Sequence, residues 1–325
     1  MVQEAQDAIQ ERVRGVLQSA VEEGDVPGAV ALVRRGGRKV LHEAYGWAQL
    51  WPEPRPMQGD AVFDLASLTK PLAAAAVSLA LVDRGALSLD EELTRHLPEL
   101  RTARGAGVTA RRVLSHTSGL PGWRPLYTWA TGREGMLRAI DDLGMAYQPG
   151  SRFEYSDLGF IALGIALERI GGQRLDALAE ELVFRPCGLH STTYLPQFDG
   201  HRFAVTERGN EFERSMAEWA GLSFGGWRET THPGQVNDGN AHYGLEGVSG
   251  HAGLFSDAEG VGVLGQMWLD RGDCNGRGVL SEAGVELSTT RQTPLGEAAR
   301  GLGWSLASRT APGREELTRA DAGLF

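Results

Sequence analysis

Lysine is nearly absent from this sequence: of its 32 basic residues only Lys39 and Lys70 are lysines, the rest being arginine. Each of the two therefore asks for a reason. Cysteine is scarce too. Cys187 and Cys274 stand far apart in the chain and make no metal-type spacing, which excludes a disulfide framework and a cysteine-based metal site. Two free thiols are the expectation, with a single disulfide as the alternative. No basic cluster offsets the formal net charge of -10, which argues against a nucleic-acid partner. Long apolar runs are lacking, and nothing approaches the roughly 20 residues of a membrane span. The N-terminal MVQEAQDAIQERVRGVLQSAVEEG is polar and amphipathic, without the apolar core or cleavage site of a secretory signal. A soluble, cytoplasmic protein with no membrane partner is expected. The eight histidines do not pair at ligand spacing, and no phosphate-cradling glycine loop follows a strand, so neither a metal nor an organic cofactor is expected.

What is present is an ordinary globular composition, 42% hydrophobic and 23% charged over 325 residues, long enough for a large core and two lobes. Residues 3 to 22 read as a helix with Ile9, Val13, Val16, Leu17 and Ala20 on one face and Gly24 past its end. GAVALVRRGGRKVLHEAYGWA reads as two strands around the turn Gly36-Gly37, with Lys39 a solvated hairpin charge beside it. From about 65 to 190 the pattern is mostly helical. One helix runs from Leu68 to Arg84. Another, TARRVLSH, is capped by Thr109, and a third, SDLGFIALGIALERI, by Ser156 or Asp157 with Gly171-Gly172 beyond it. The third is apolar almost all round and carries Gly159, Ala162, Gly164 and Ala166, so it should be buried. Residues 200 to 250 are glycine-rich and irregular; a helix follows from Asp257 to Leu269, and LGWSLAS at 302 to 308 reads as a strand. This order predicts an α/β (α+β) fold, an antiparallel sheet flanked by helices and built from both chain ends around an inserted helical domain. The expected division is 1–62 with 235–325 as the sheet domain and 63–234 as the mainly helical domain.

The second lysine sits three residues after Ser67 in VFDLASLTKPL, where a helix must begin because Pro71 is tolerated only in a first turn. As a plain N-cap, Ser67 would want Glu or Gln at position 70; a cation there opposes the helix dipole. Positions i and i+3 are helix neighbours, about 5 to 6 Å apart at Cβ, so the Ser67 hydroxyl and Lys70 amine can meet. A neutral amine can take the hydroxyl proton, which a guanidinium cannot. Keeping lysine neutral at pH 7 costs roughly 4.6 kcal/mol from its reference value. Burial among Leu65, Leu68 and Leu72, with the positive helix end, is expected to lower the amine.

Four stretches in this order, 62–72 (VFDLASLTKPL), 111–122 (RRVLSHTSGLPG), 149–171 (PGSRFEYSDLGFIALGIALERIG) and 249–256 (SGHAGLFS), closely resemble the serine β-lactamase-like family of penicillin-binding-protein fold. The resemblance is closest to class C β-lactamases and the related esterases and D-amino-acid peptidases, and it runs from the first helix to Trp304. It implies that Ser67 is a nucleophile forming an acyl-enzyme, that Lys70 assists its deprotonation, and that Tyr155 shares a proton with Lys70. Tyr155-Ser156-Asp157 fills the place of the family's Tyr-x-Asn. Asp157 departs from it: an ionised Asp only accepts hydrogen bonds, so it either caps the next helix or pairs with Lys70. The implied substrates are small esters, D-amino-acid peptides or β-lactams, in that order.

The family's third motif, Lys-Thr-Gly or His-x-Gly on a strand near the C-terminus, has no match in place. The triplets at His232, His242 and His251 all precede the helix at 257–269, and His251-Ala252-Gly253 reads as a structural turn near the site. The chain ends at ADAGLF, where that strand would start, so the C-terminal sheet strands are expected to be missing. A catalytically impaired homologue acting as a binding protein is the alternative to a serine hydrolase. A monomer, or a dimer formed by sheet completion, is the expected assembly.

Overall fold

The computed structural model of the chain describes residues 2–230 and 233–306. Helix α1 (Val2–Glu22) lies over a hairpin of β1 (Gly28–Arg35) and β2 (Arg38–Gln49). Gly36 and Gly37, at φ 56° and 75°, make the two-residue turn that matches strand twist, and the antiparallel register runs from Gly28 opposite Gly46 to Arg35 opposite Arg38. Of the expected apolar face of α1, Val13, Leu17 and Ala20 are half-buried while Ile9 and Val16 stay exposed. Polar contacts hold the helix as well: Arg14 pairs with Glu43, and Gln10 Nε2 donates to the Val40 carbonyl at 2.7 Å. Lys39 is not simply solvated. It pairs with Glu259 on a distant helix, joined by His42 at 3.3 Å, and so ties the hairpin to that helix.

Short β3 (Arg55–Pro56) completes a sheet of order β1-β2-β3. A second small sheet, β4 (Phe63–Asp64), β6 (Leu254–Ser256) and β5 (Thr193–Tyr194), is antiparallel with β6 in the centre and stitches three distant parts of the chain together. The helical body comprises α2 (Ala76–Asp83), α3 (Ala110–Leu114), α4 (Gly132–Leu143), α5 (Asp157–Gly171) and α6 (Leu175–Ala179). After it come α7 (Glu211–Trp219), α8 (Ala258–Leu269), the ribbon β7 (Asp273–Cys274) with β8 (Arg277–Gly278), and α9 (Glu282–Ser288). One continuous apolar cluster extends from Leu72 on α2's leading turns to Leu302.

Caps fall where the sequence places them. Thr109 accepts from Arg112 N–H, Ser156 from Gly159 N–H, and Gly172 closes α5 in the left-handed region at φ 68°. Residues 158 to 167 of α5 are all buried. The run Ala66–Asp83 is apolar enough by composition to cross a membrane, yet it is a core helix, 72% buried in the protein.

Two expectations need correction. The stretch 200–250 holds a regular helix, α7, and a helical turn at Asn240–Gly244. Among the described residues, LGWSLAS contributes one antiparallel bridge, Arg300 opposite Ser305, rather than a strand; 307 and 308 lie outside the described residues. Among the described residues the sheet β1-β2-β3 draws its strands from 28–56, and the expected contribution of the C-terminal end, like the predicted loss of C-terminal strands, lies outside the described residues.

Candidate active site

Ser67 lies in a 3-10 turn, Ala66–Leu68, that leads through a wide turn at Lys70–Ala75 into α2. The residue before it, Ala66, has φ 44°, a left-handed conformation that a Cβ disfavours by about 1–3 kcal/mol. Asp64 holds it there: one carboxylate oxygen accepts the Ala66 N–H at 2.9 Å and the other the Asn237 N–H at 2.7 Å. From the other side, β6 grips the segment. Leu65 N–H donates to the Leu254 carbonyl at 2.9 Å, and the buried Thr69 hydroxyl accepts from Leu254 N–H at 3.1 Å. Among the described residues, the side-chain partner of the Ser67 hydroxyl is Lys70.

The Lys70 ammonium, its side chain 2% exposed, donates to Ser67 Oγ at 2.8 Å, Asp157 Oδ1 at 2.6 Å and the His251 carbonyl at 3.2 Å. The Tyr155 ring centroid is 4.8 Å from Nζ and that of Phe160 5.7 Å. Three acceptors thus surround one three-proton nitrogen. Burial pulls the Lys70 ammonium down, but the Asp157 carboxylate and the Tyr155 hydroxyl outweigh it, and the net direction is upward. This corrects the expectation of a lowered, neutral amine: the resting residue is a paired ammonium. Asp157 begins α5 but leaves the capping bond to Ser156, so of its two expected roles the structure selects the pairing with Lys70.

Behind Tyr155 stands His116. Its ring stacks on that of Tyr155 at 4.3 Å with 26° between planes, and its Nδ1 accepts the Ser156 N–H at 3.0 Å. Burial, with the charges of Lys70 and Arg300, holds the imidazole well below its ordinary value. A base with a depressed folded value gives stability that is full above the unfolded value near 6.5 and is lost progressively as pH falls from there through the folded value, at about 1.4 kcal/mol per unit. His116 also has φ 56°, which asparagine tolerates. Urea unfolding between pH 7 and pH 5 should therefore show a steeper loss of stability in the native chain than in His116→Asn. Parallel slopes would remove His116 as the source.

The turn that offers the His251 carbonyl is itself fixed. His251 Nδ1 contacts Ser249 Oγ at 2.7 Å, and Nε2 contacts Asp238 Oδ1 at 2.8 Å. Val30, Leu32, Phe63, Leu65 and Val261 line a groove of about 450 Å³ between β1 and α8. Cys187 and Cys274 are buried free thiols, and burial pushes both up, away from thiolate chemistry.

The structure thus brings Ser67, Lys70, Tyr155 and Asp157 together. Sequence reasoning gave no role to Asp64, His116, Asp238 or Ser249, nor to the His251 backbone. Only Asp64 carried a local signal, an Asx-type bond to the amide two residues on.

A mixed α/β body presenting a serine and a buried lysine three residues apart at the start of a core helix, faced by a tyrosine and a carboxylate, is the architecture of the penicillin-binding-protein fold. The chain belongs to the beta-lactamase family, whose profile matches residues 13–322. An N-acetylmuramyl-L-alanine amidase of Bacillus subtilis (strain 168) is 30% identical over 300 residues, covering 86% of this chain and 66% of that protein. A chain of Escherichia coli O157:H7 named as a D-alanyl-D-alanine carboxypeptidase is 30% identical over 301 residues, covering 86% and 68%. The chain thus spans about two thirds of the length of these relatives. Among solved structures, EstCE1, a hydrolase with promiscuous acyltransferase activity, superposes with TM-score 0.71 at 24% identity over 92% of this chain and 83% of that one. An octameric penicillin-binding protein homologue from Pyrococcus abyssi gives 0.69 at 19% identity, over 90% and 64%. These two establish the fold.

Proposed function

We propose that the chain is a serine hydrolase that transfers the acyl group of a small ester or amide first to Ser67 and then to water. The observation that carries this is the Lys70 ammonium placed 2.8 Å from Ser67 Oγ with Asp157 at 2.6 Å as its counter-ion. A charged Lys70 donates to the serine oxygen and stabilises developing negative charge on it, while Tyr155, in its phenolate form beside the same ammonium, accepts the serine proton and becomes the neutral phenol. The serine oxygen forms a bond to the substrate carbonyl carbon. The leaving group departs with the proton returned through Tyr155, and water, activated by the same pair, releases the acid and regenerates Ser67. The name of one 30%-identical relative, a D-alanyl-D-alanine carboxypeptidase, supports ranking a D-amino-acid peptide or amide ahead of an ester and then a β-lactam, and the amidase name of the other supports an amide bond more generally. The chain is proposed to work as a monomer or dimer without cofactor.

The test is labelling with a fluorescent phosphonate, followed by intact mass and adduct mapping. One adduct on Ser67, absent in Ser67→Ala and followed by turnover of a chromogenic D-amino-acid anilide, is the expected result. A folded chain that takes no label would overturn the reading and leave a non-enzymatic binding protein.

A further inference from the structure

Lys70 needs its three acceptors held still, and two of them are side chains, Ser67 on the turn that Asp64 and β6 grip and Asp157 at the start of the buried α5. The third, the His251 carbonyl, belongs to a turn with no regular secondary structure of its own. A buried side chain of the turn bolts it in place. His251, 1% exposed, is bonded at both ring nitrogens, to Ser249 Oγ at 2.7 Å and to Asp238 Oδ1 at 2.8 Å. A carboxylate can only accept, so Nε2 carries a proton and the ring has one orientation. With both nitrogens tethered, the imidazole cannot rotate, and the backbone that bears it cannot swing its carbonyl away from Lys70. We propose that Asp238, His251 and Ser249 are positioning residues for Lys70, a buried brace that aims the His251 carbonyl at the ammonium and thereby keeps Nζ on Ser67.

The brace is distinct from the acyl-transfer groups, although its importance for rate rests on the function proposed above. Asp238 also accepts the Ala241 N–H at 2.8 Å, which steadies the helical turn Asn240–Gly244. Its burial raises the carboxyl, but the neighbouring His251, the Ala241 amide and the Lys70 charge prevail and hold it on the ionised side. A capping role alone would change stability and leave Lys70 untouched. A positioning role would change Lys70 itself.

The scarcity of lysine makes that difference measurable. With only two lysines, ¹⁵N-lysine labelling gives two ammonium signals, and Lys39→Arg assigns them. Lys39, 49% exposed at the side chain, exchanges with water; Lys70, at 2%, should give a protected signal. Asp238→Ala and Ser249→Ala are expected to speed exchange of the Lys70 ammonium at least tenfold and to slow phosphonylation of Ser67 by about 10- to 100-fold, the range of a misplacement approaching 1 Å. Asp238→Asn, which still accepts from Nε2, is expected to keep both near the native values. Native Lys70 exchange in folded Asp238→Ala, or an Asn variant as impaired as the Ala one, would overturn the brace. Should Asp238→Ala fail to fold, Ser249→Ala, which removes one oxygen and no volume to speak of, decides the matter by the same exchange rate. Should the native chain take no phosphonate, the proposed function falls, while the Lys70 exchange still tests the brace.

Discussion

Lys70→Ala is expected to slow phosphonylation of Ser67 by about 10²- to 10⁴-fold, the span of a lost acid–base group, and Lys70→Arg is expected to do no better. The second half is the more informative. From the sequence, lysine is preferred because a guanidinium cannot surrender its proton. The structure adds a geometric reason: Ser67 Oγ, Asp157 Oδ1 and the His251 carbonyl are arranged about a single nitrogen in a space that leaves the side chain 2% exposed. A planar five-donor fork does not fit three acceptors that converge on one point. Recovery of the native labelling rate in Lys70→Arg would show that charge alone suffices.

The same pair gives an asymmetric effect on stability. Asp157→Ala leaves a buried ammonium without its counter-ion, with only the neutral oxygens of Ser67 and His251 to receive it, which costs about 3–5 kcal/mol. Lys70→Met keeps the methylenes and leaves Asp157, whose side chain is 18% exposed, able to reach water, so it should cost less than half as much. The pH dependence follows from the direction of the shift. In the native chain Lys70 is raised, so its contribution is fully present below the unfolded value near 10.5 and is lost only as pH rises through the folded one. In Asp157→Ala burial prevails and the value falls, so the penalty is greatest near neutrality and shrinks as pH rises toward 10. Urea unfolding at pH 7 and pH 9.5 checks both signs; a gap between the two proteins that widens with pH would contradict the pairing.

How much of this was written in the sequence depends on whether the structure uses side chains at regular spacing. Ser67 and Lys70 were legible because i and i+3 are neighbours on any helix. The caps at Thr109 and Ser156 and the glycine at 172 were legible because capping is local chemistry. Tyr155 and Asp157 came only through resemblance, since 87 residues separate Asp157 from Lys70 and nothing local joins them. The His251 carbonyl could not be read at all, because a backbone acceptor has no residue signature. Ala66 at φ 44° was hidden for the opposite reason: the position calls for glycine, and the chain holds alanine there through Asp64. The lowered amine was misjudged because burial was weighed without the carboxylate that enters the same cavity.

Gly250→Ala is expected to destabilise the protein by about 1–3 kcal/mol and to slow Ser67 labelling in the same step. A Cβ at 250 would stand 2.3 Å from the Phe160 carbonyl oxygen and 3.1 Å from the Gly164 Cα and N, all backbone atoms of α5 that no rotamer change can clear. The reciprocal variant, Gly164→Ala, would meet Gly250 N at 2.8 Å and Cα at 3.1 Å. Gly265→Ala on α8, with nothing within 4 Å of the added carbon, is the control and should gain up to about 1 kcal/mol from helix propensity. The loss of rate follows from what the contact spaces apart. Helix α5 carries Asp157 at its first turn, and residue 251 carries the third acceptor of Lys70. The glycine-to-glycine approach therefore sets the width of the cage that holds the ammonium. Pushing the 249–253 turn off α5 by even half an ångström lengthens the bond from Lys70 to the His251 carbonyl, already 3.2 Å, and frees Nζ to follow Asp157 away from Ser67. A Gly250→Ala protein that melts early yet labels Ser67 at the native rate would separate the packing of α5 from the geometry of the site.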